Sequence, residues 1–492
     1  MLIEAVGTPR CYGGVGMAED EPKAVEPELD EEDEWQLYAS AGYASTGFIL
    51  DEGATAEDEN SDEPWFDGDD FDFGGNTVNW DAPPCPAPLG IAHVIKIGIC
   101  DYCLHRIGGR RSEERGAEAG AVLRHEAYAR DEELQSKTTQ DLCPLCENLF
   151  EDIGNIVERV FDSLSGTDFS TIQFGIHLPK DLIQEEDRIR SRYGAPASYP
   201  LKSALVEAIH HRIRSSNEEV DFVKERPDIM VLVDGLTLRV DVDVRPIFLY
   251  GRYRKLVRDL PQTRWPCRAC RGRADDCESC NGTGLQYPDS VQDLIGEPIR
   301  EALGADDTSF HGMGREDIDV RCLGSGRPFV LEVKRPSKRN HPLDDLICRV
   351  NENASGRVEI DSFCWCDRSK IHEVKGSRSE KTYTIRFRAD DLADEEMVTN
   401  AISSLSGVVI DQETPKRVSH RRAAKTRKRK VVSVDSILIE GNEAQFSLRC
   451  EAGTYIKELV HSDEGRTKPS VQSAIDRECE VLWLDVEEIH AD

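Results

Sequence analysis

Long apolar runs are missing from this 492-residue chain: no stretch approaches the ~18–20 residues that cross a bilayer. The opening MLIEAVGTPR has no basic segment leading into an apolar one, so no secretory signal and no membrane partner are expected, and a soluble cytoplasmic protein is. Positive charge is short, with 61 Lys and Arg against 94 Asp and Glu and a formal net charge of -33. Lysine is the scarcer cation, 18 against 43 arginines. Acid spread along most of the chain is how a surface stays hydrated in concentrated salt, where charge repulsion is screened. A salt-adapted cytoplasm of haloarchaeal type is the expectation, and binding of cations or basic partners is the alternative. No P-loop and no Gly-x-Gly-x-x-Gly dinucleotide fingerprint occurs, which argues against nucleotide-driven or hydride-transfer chemistry. Without a secretion signal the 16 cysteines do not read as disulfides.

The length exceeds one ordinary core, and composition divides it. Residues 1–84 are acidic and poor in periodic apolar positions, as in DEPWFDGDDFDFGG, and read as a disordered extension. Residues 85–258 read as an α+β domain. A short apolar strand is expected in IAHVIKIGIC, helices in the charged stretch that follows and in ENLFEDIGNIVERVFDSL, a strand in FSTIQFGIHLP and an amphipathic helix in YPLKSALVEAIHHRIRS. Asp234-Gly235 marks a hairpin. A Cys-rich connector, 259–285, leads into a second α+β domain, 286–492. Its strands include DIDVRCL, PFVLEVK, KTYTIRFRA, SILIEG, AQFSLRC and EVLWLDV, for a mixed or largely antiparallel sheet.

Eight cysteines fall into four Cys-x-x-Cys pairs. Each pair can turn two thiolates toward one tetrahedral ion. Cys100, Cys103, Cys143 and Cys146 form one set of four, expected to hold a structural zinc. Cys267, Cys270, Cys277 and Cys280 form a second, shorter set, in which glycines supply positive backbone angles. Four-cysteine sites are closed, so either zinc would be structural, not catalytic.

Two charged segments remain. If 315–321 is extended, Arg315, Asp317, Asp319 and Arg321 share one face and Glu316, Ile318 and Val320 take the other. Such a face is poor core material; a surface ion-pair ladder is the plain alternative. The run TPKRVSHRRAAKTRKRK, residues 414–430, carries nine cations and no acid. In so acidic a chain, one dense basic run suits a polyanionic partner, with a solvated basic loop as the alternative.

Read in order, HGMGREDIDVR, GSGRPFVLEV, YGRYRKL, WPCRAC, YPDSVQDLIGEPI, TPKRVSHRR, GTYIKELVHSDEGRTKPS and LWLDVEEI make the chain resemble the archaeal-type tRNA pseudouridine synthases that act on the T-loop, the tRNA pseudouridine(54/55) synthase family. The resemblance spans roughly residues 85–492. Met313 and Cys322 depart from it. The resemblance implies a THUMP-type RNA-binding module in the first domain and a catalytic domain in the second. It implies tRNA as partner, a monomer, and no cofactor for catalysis beyond structural zinc. Gly-Arg-x-Asp maps onto Gly314-Arg315-Glu316-Asp317. Asp317 is then the essential carboxylate, with Asp319 as fallback, and Arg315 its partner. Tyr383 matches the tyrosine lying against the uracil. GTYIKE nominates Ile456 and Lys457, and Leu484 is a further pocket candidate; ordinary core is the alternative for Ile456 and Leu484. Lys416, Arg417, Arg421 and Arg422 would grip tRNA beside the pocket, and Arg252, Arg254, Lys255 and Arg258 would grip it from the first domain. A catalytically silent zinc-containing tRNA-binding protein is the competing reading. A methyltransferase or thiolation enzyme carrying the same module is a third, disfavoured by the missing nucleotide loop.

Overall fold

The computed structural model describes residues 88–108, 116–136, 141–192, 198–216, 220–419 and 423–491. The acidic extension 1–84 lies outside them, as do Arg421 and Arg422. The chain forms two compact units that divide between Arg245 and Pro246.

The first unit runs α1 Pro88–Ile97, α2 Asp101–Gly108, α3 Ala117–Arg130, α4 Ile153–Ser163, β1 Thr171–His177, α5 Lys180–Arg192, α6 Leu201–Ser216, β2 Asp221–Phe222, β3 Ile229–Asp234 and β4 Val240–Val244. The strand expected in IAHVIKIGIC is helix α1: buried Ile91, Val94 and Ile95 recur at helical spacing. The sheet order is β2-β1-β3-β4, parallel except for the β3–β4 hairpin at the expected Asp234-Gly235 turn. Asp234 closes that turn by accepting from the Thr237 amide at 2.7 Å. Buried Ile172, Phe174 and Ile176 of β1 share one core with Val160 of α4, Leu205 and Ile209 of α6, and the four cysteines of the first set.

The second unit is built on a ten-stranded mixed sheet. Its strands are β5 Ile247–Lys255, β6 Asp307–Gly312, β7 Arg321–Lys334, β8 Val358–Cys366, β9 Lys381–Ala389, β10 Val409–Glu413, β11 Thr426–Glu440, β12 Glu443–Cys450, β13 Thr467–Lys468 and β14 Cys479–Ile489. The order is β13-β10-β11-β12-β9-β14-β7-β5-β8, with β6 also on β7. All neighbours are antiparallel except β14 and β7. The boundary expected near 258 therefore moves back: β5 is an interior strand here, paired to β7 and β8. Period-2 alternation splits its side chains between two cores. Leu249 and Tyr253 join the core containing α7 (Val291–Leu303) and α8 (Leu343–Ala354), while Phe248 joins the opposite one with Tyr383, Phe446 and Leu459.

One edge of β7 is shared. β14 pairs with its start, Arg321 and Cys322, and β6 pairs with its later half, Phe329 to Lys334. Loop 313–320 joins β6 to β7 where these two partners part. Residues 315–320 are thus not the strand expected. Gly314 has φ of 72°, and the Val320 amide donates to the Asp317 carbonyl at 3.1 Å, closing a turn that breaks the alternation.

Candidate active site

Loop 313–320 is held from beneath by buried polar groups. Glu316 lies inside the protein, with its carboxylate 2.8 Å from Arg327 Nε. It accepts from the Tyr253 hydroxyl at 2.8 Å, and Gln262 donates to the Gly314 carbonyl at 3.0 Å. Arg327 also donates to the Met313 carbonyl at 2.7 Å. Burial alone disfavours the Arg327 cation, and the Glu316 charge more than restores it. Lys255 is fully buried, and its ammonium donates to the carbonyls of Leu260, Asp317 and Ile318 at 2.7, 3.2 and 3.0 Å. Arg258 donates to the Asp319 carbonyl at 2.8 Å and pairs at 2.7 Å with Asp485, itself buried and also paired to Arg321.

These contacts revise the proposed first-domain RNA contacts. Arg252, Arg254, Lys255 and Arg258 all belong to the second unit and make internal contacts. Arg252 donates to the Ile489 carbonyl at 2.9 Å, and Arg254 pairs with Glu359 at 3.0 Å and with Asp361. Lys255 and Arg258 position the loop.

The loop presents Asp317 half-buried. Arg417, from the short helical turn Lys416–Val418, donates to its Oδ2 at 2.9 Å. Lys457, second residue of α9 (Ile456–His461), stands 3.4 Å from the same oxygen and 2.8 Å from both oxygens of Asp319. Arg417 is held in turn by buried Glu458, whose Oε1 accepts its Nε at 2.6 Å. Burial alone raises the Asp317 carboxyl, and Arg417 and Lys457 more than reverse this, holding it below its ordinary value. Asp317 is therefore ionised at neutral pH. Asp319, the fallback, has about half its side chain in solvent.

Arg315 was the expected partner of Asp317; Arg417 and Lys457 are the cations on its carboxylate. The Arg315 guanidinium lies 5.3 Å from the centre of the Trp265 ring, a cation–π geometry.

Tyr383 (on β9), Ile456 and Leu484 (on β14) belong to one apolar cluster with Met313, next to the loop glycine. All three pocket candidates are thus buried in one core. Burial pushes the Tyr383 phenol well above its ordinary value of 10.0, so it is a neutral phenol at working pH. In the basic run, Arg417 turns inward to Asp317. Lys416 is exposed and pairs with Glu464, and Arg427 is buried, donating to Thr414 Oγ1 at 2.9 Å. Gln412 of β10 ties this run to the pocket, exchanging hydrogen bonds with the Tyr455 backbone, both at 2.9 Å.

Both cysteine sets converge, the four sulfurs of each lying within 4.8 Å of one another. A tetrahedral zinc with Zn–S near 2.3 Å sets sulfurs about 3.8 Å apart. Cys100 and Cys146 are at 3.6 Å, and Cys270 and Cys280 at 3.7 Å. Backbone amides support the sulfurs, with Cys100 N–H donating to Cys143 Sγ and Gly284 N–H to Cys280 Sγ, each at 3.3 Å. Both clusters fit a four-thiolate ion.

Glu316, Arg327, Gln262 and Glu458 were not singled out as site residues by sequence reasoning, and Lys255 and Arg258 were read as RNA contacts instead of supports for the loop. The signal was present only as charge inside otherwise apolar strands, as in YGRYRKL and GRPFVLEV.

Fold and site together are those of an RNA-modifying isomerase of the pseudouridine-synthase class. The model of the archaeal Pus10 THUMP domain matches residues 156–234, and that of the Pus10 C-terminal region matches 248–490. The chain belongs to the Pus10 family. Curated relatives named tRNA pseudouridine synthase Pus10 include one from Methanothrix thermoacetophila, 37% identical over 80% of this chain and 92% of its own length. Another, from Halorubrum lacusprofundi, is 35% identical over 79% and 92%, and one from Methanocaldococcus jannaschii is 38% identical over 71% and 75%. Among solved structures, a Cbf5-Nop10-Gar1 complex covers 40% of this chain and 45% of its own at 17% identity and a TM-score of 0.26, a likeness too slight to argue from. No helix among the described residues is long and apolar enough to cross a membrane.

Proposed function

We propose that this protein isomerises uridine to pseudouridine in the T-loop of tRNA, at positions 54 and 55, with Asp317 as the essential carboxylate. The observation that carries the reading is an ionised, half-buried aspartate held by two cations. The relatives' shared name supports tRNA as substrate.

The reaction moves one glycosidic bond. The base leaves the sugar C1′, turns, and rejoins through C5; the C5 proton then departs, and no electrons are exchanged with a partner. The target base must first leave its stack. Asp317 either attacks C1′ or takes the C2′ proton to give a glycal, and both need it charged and aimed. Arg417 and Lys457 supply the charge state. The Lys255, Gln262 and Arg258 contacts to loop carbonyls supply the aim. Tyr383, a neutral phenol in the apolar core, orients the uracil or the group that removes the C5 proton. Arg315, exposed at the loop, helps hold the extruded nucleotide, and Ile456 and Leu484 floor the pocket. Lys416, Arg421 and Arg422 contact phosphates beside it. Each cysteine set holds a structural zinc.

The test is pseudouridine mapping by carbodiimide-dependent primer-extension stops on an unmodified tRNA transcript. A stop in the T-loop that Asp317→Ala abolishes, while tRNA binding persists, is the expected result. Product formed at undiminished rate by Asp317→Ala would overturn the assignment, and Asp319→Ala would then be the variant to lose it.

A further inference from the structure

The second cysteine set does more than staple the chain. We propose that it is an RNA-gripping knuckle, whose Arg268, Arg271 and Arg273 bind the phosphate backbone of the substrate RNA beside the catalytic loop. The proposal rests on the tRNA reading above.

Most cations of this unit are engaged with carboxylates, as expected in a chain of net charge -33: Arg252, Arg254, Arg258, Arg264, Arg300, Arg321, Arg327 and Lys457 are examples. The sequence CRACRGR departs from this. Arg268, Arg271 and Arg273 are all exposed, and none is in an ion pair with a described carboxylate. Their backbone is held rigidly. The Arg271 amide donates to the Cys267 carbonyl at 2.8 Å and the Arg273 amide to that of Cys270 at 3.0 Å. Arg271 itself takes φ of 54°, in the left-handed region, so the chain turns there. The acids of the knuckle, Asp275, Asp276 and Glu278, sit on its other half, around Cys277. Left solvated, three exposed guanidiniums on one turn are a phosphate-binding surface.

The position supplies the second argument. The knuckle's stem is the Pro266–Leu285 bridge, extended by the Gln286 amide donating to the Trp265 carbonyl at 2.8 Å. Trp265 meets Tyr287 edge-on at 5.6 Å between ring centres and carries the Arg315 guanidinium on its face. Gln262, three residues before Trp265, holds the Gly314 carbonyl. The stem therefore abuts the Gly314–Asp317 segment. An RNA whose uridine reaches Asp317 passes its backbone within reach of the knuckle.

The experiment compares full-length wild type with Arg268→Glu/Arg271→Glu/Arg273→Glu and with Asp275→Asn/Asp276→Asn/Glu278→Gln. Affinity for an unmodified tRNA transcript is measured by filter binding across a salt series, alongside zinc content and product formation. The arginine variant should weaken binding and lower the slope of log affinity against log salt by about 2 to 3, near one unit per lost phosphate contact. The amide variant, which cannot act by breaking a cation contact, should tighten binding. If neither variant moves affinity or slope at unchanged zinc content, the proposal falls. Loss of zinc in the arginine variant leaves the amide variant to decide: unchanged affinity there also overturns it. If wild type makes no pseudouridine yet both shifts appear, the enzymatic reading fails and the RNA-gripping one stands.

Discussion

Replacing Arg327 by Met tests whether the loop beneath Asp317 is held by a buried charge pair. Arg327 and Glu316 are both almost fully removed from solvent and 2.8 Å apart. In Arg327→Met, Glu316 keeps the Tyr253 hydroxyl at 2.8 Å and Gln262 at 3.3 Å but loses its only counter-charge within 4 Å among the described residues. Breaking a buried pair by removing one partner costs about 3–5 kcal/mol, because the remaining charge is uncompensated. The double variant Glu316→Gln/Arg327→Met buries no charge and still offers Tyr253 an acceptor. Its residual cost is the Met313 carbonyl stripped of its donor, about 1–3 kcal/mol. Stability and catalysis should then separate. Hydrogen exchange at β5 and β7 amides should show most of the lost protection recovered in the double variant. Its single-turnover rate should remain about 100-fold down, because Gly314–Asp317 loses an anchor and misplacement by ~1 Å costs that much. A single variant costing under about 1 kcal/mol, or a double variant with wild-type rate, would refute the reasoning.

Two further outcomes follow from the same geometry. Burial alone pushes the Asp317 carboxyl up and the cations hold it down, so its ionised form persists to lower pH than an ordinary aspartate. Arg417→Gln removes the cation at 2.9 Å, and the acid limb of the single-turnover rate should move toward neutral pH. An acid limb in the same place would show that Arg417 does not set the charge state. Native mass spectrometry should find two zinc ions per chain and one in Cys143→Ser. In that variant, hydrogen exchange should rise in α2 and in residues 143–163, since Cys103, Cys143 and Cys146 lie in the same core as Leu104 and Ile156. Full metal content in the variant would contradict the four-cysteine assignment.

The sequence exposes this site unevenly, for a physical reason. Asp317 is legible because Gly-Arg-x-Asp is a local pattern, and the cysteine sets because Cys-x-x-Cys pairs declare metal geometry within four residues. The cations that keep Asp317 ionised come from 100 residues away, in the case of Arg417, and farther for Lys457, so only the tertiary fold pairs them with it. Lys255 shows where the rule that charge means surface fails. YGRYRKL reads as a basic, RNA-facing stretch, yet on an interior strand the side of Tyr253 and Lys255 faces inward. Lys255 is stable there because three carbonyls converge on its ammonium, those of Asp317 and Ile318 in the loop and that of Leu260. Burial by itself pulls the lysine toward its neutral form, so the cation's presence depends on the loop adopting this one turn. The dependence runs both ways: the Leu260 and Ile318 carbonyls, left without Lys255, would lose this donor. Carbonyl and cation thus specify each other. A sequence-level reading sees a basic residue and an acidic motif separated by two domain assignments; the fold joins them into one support for the loop that carries Asp317.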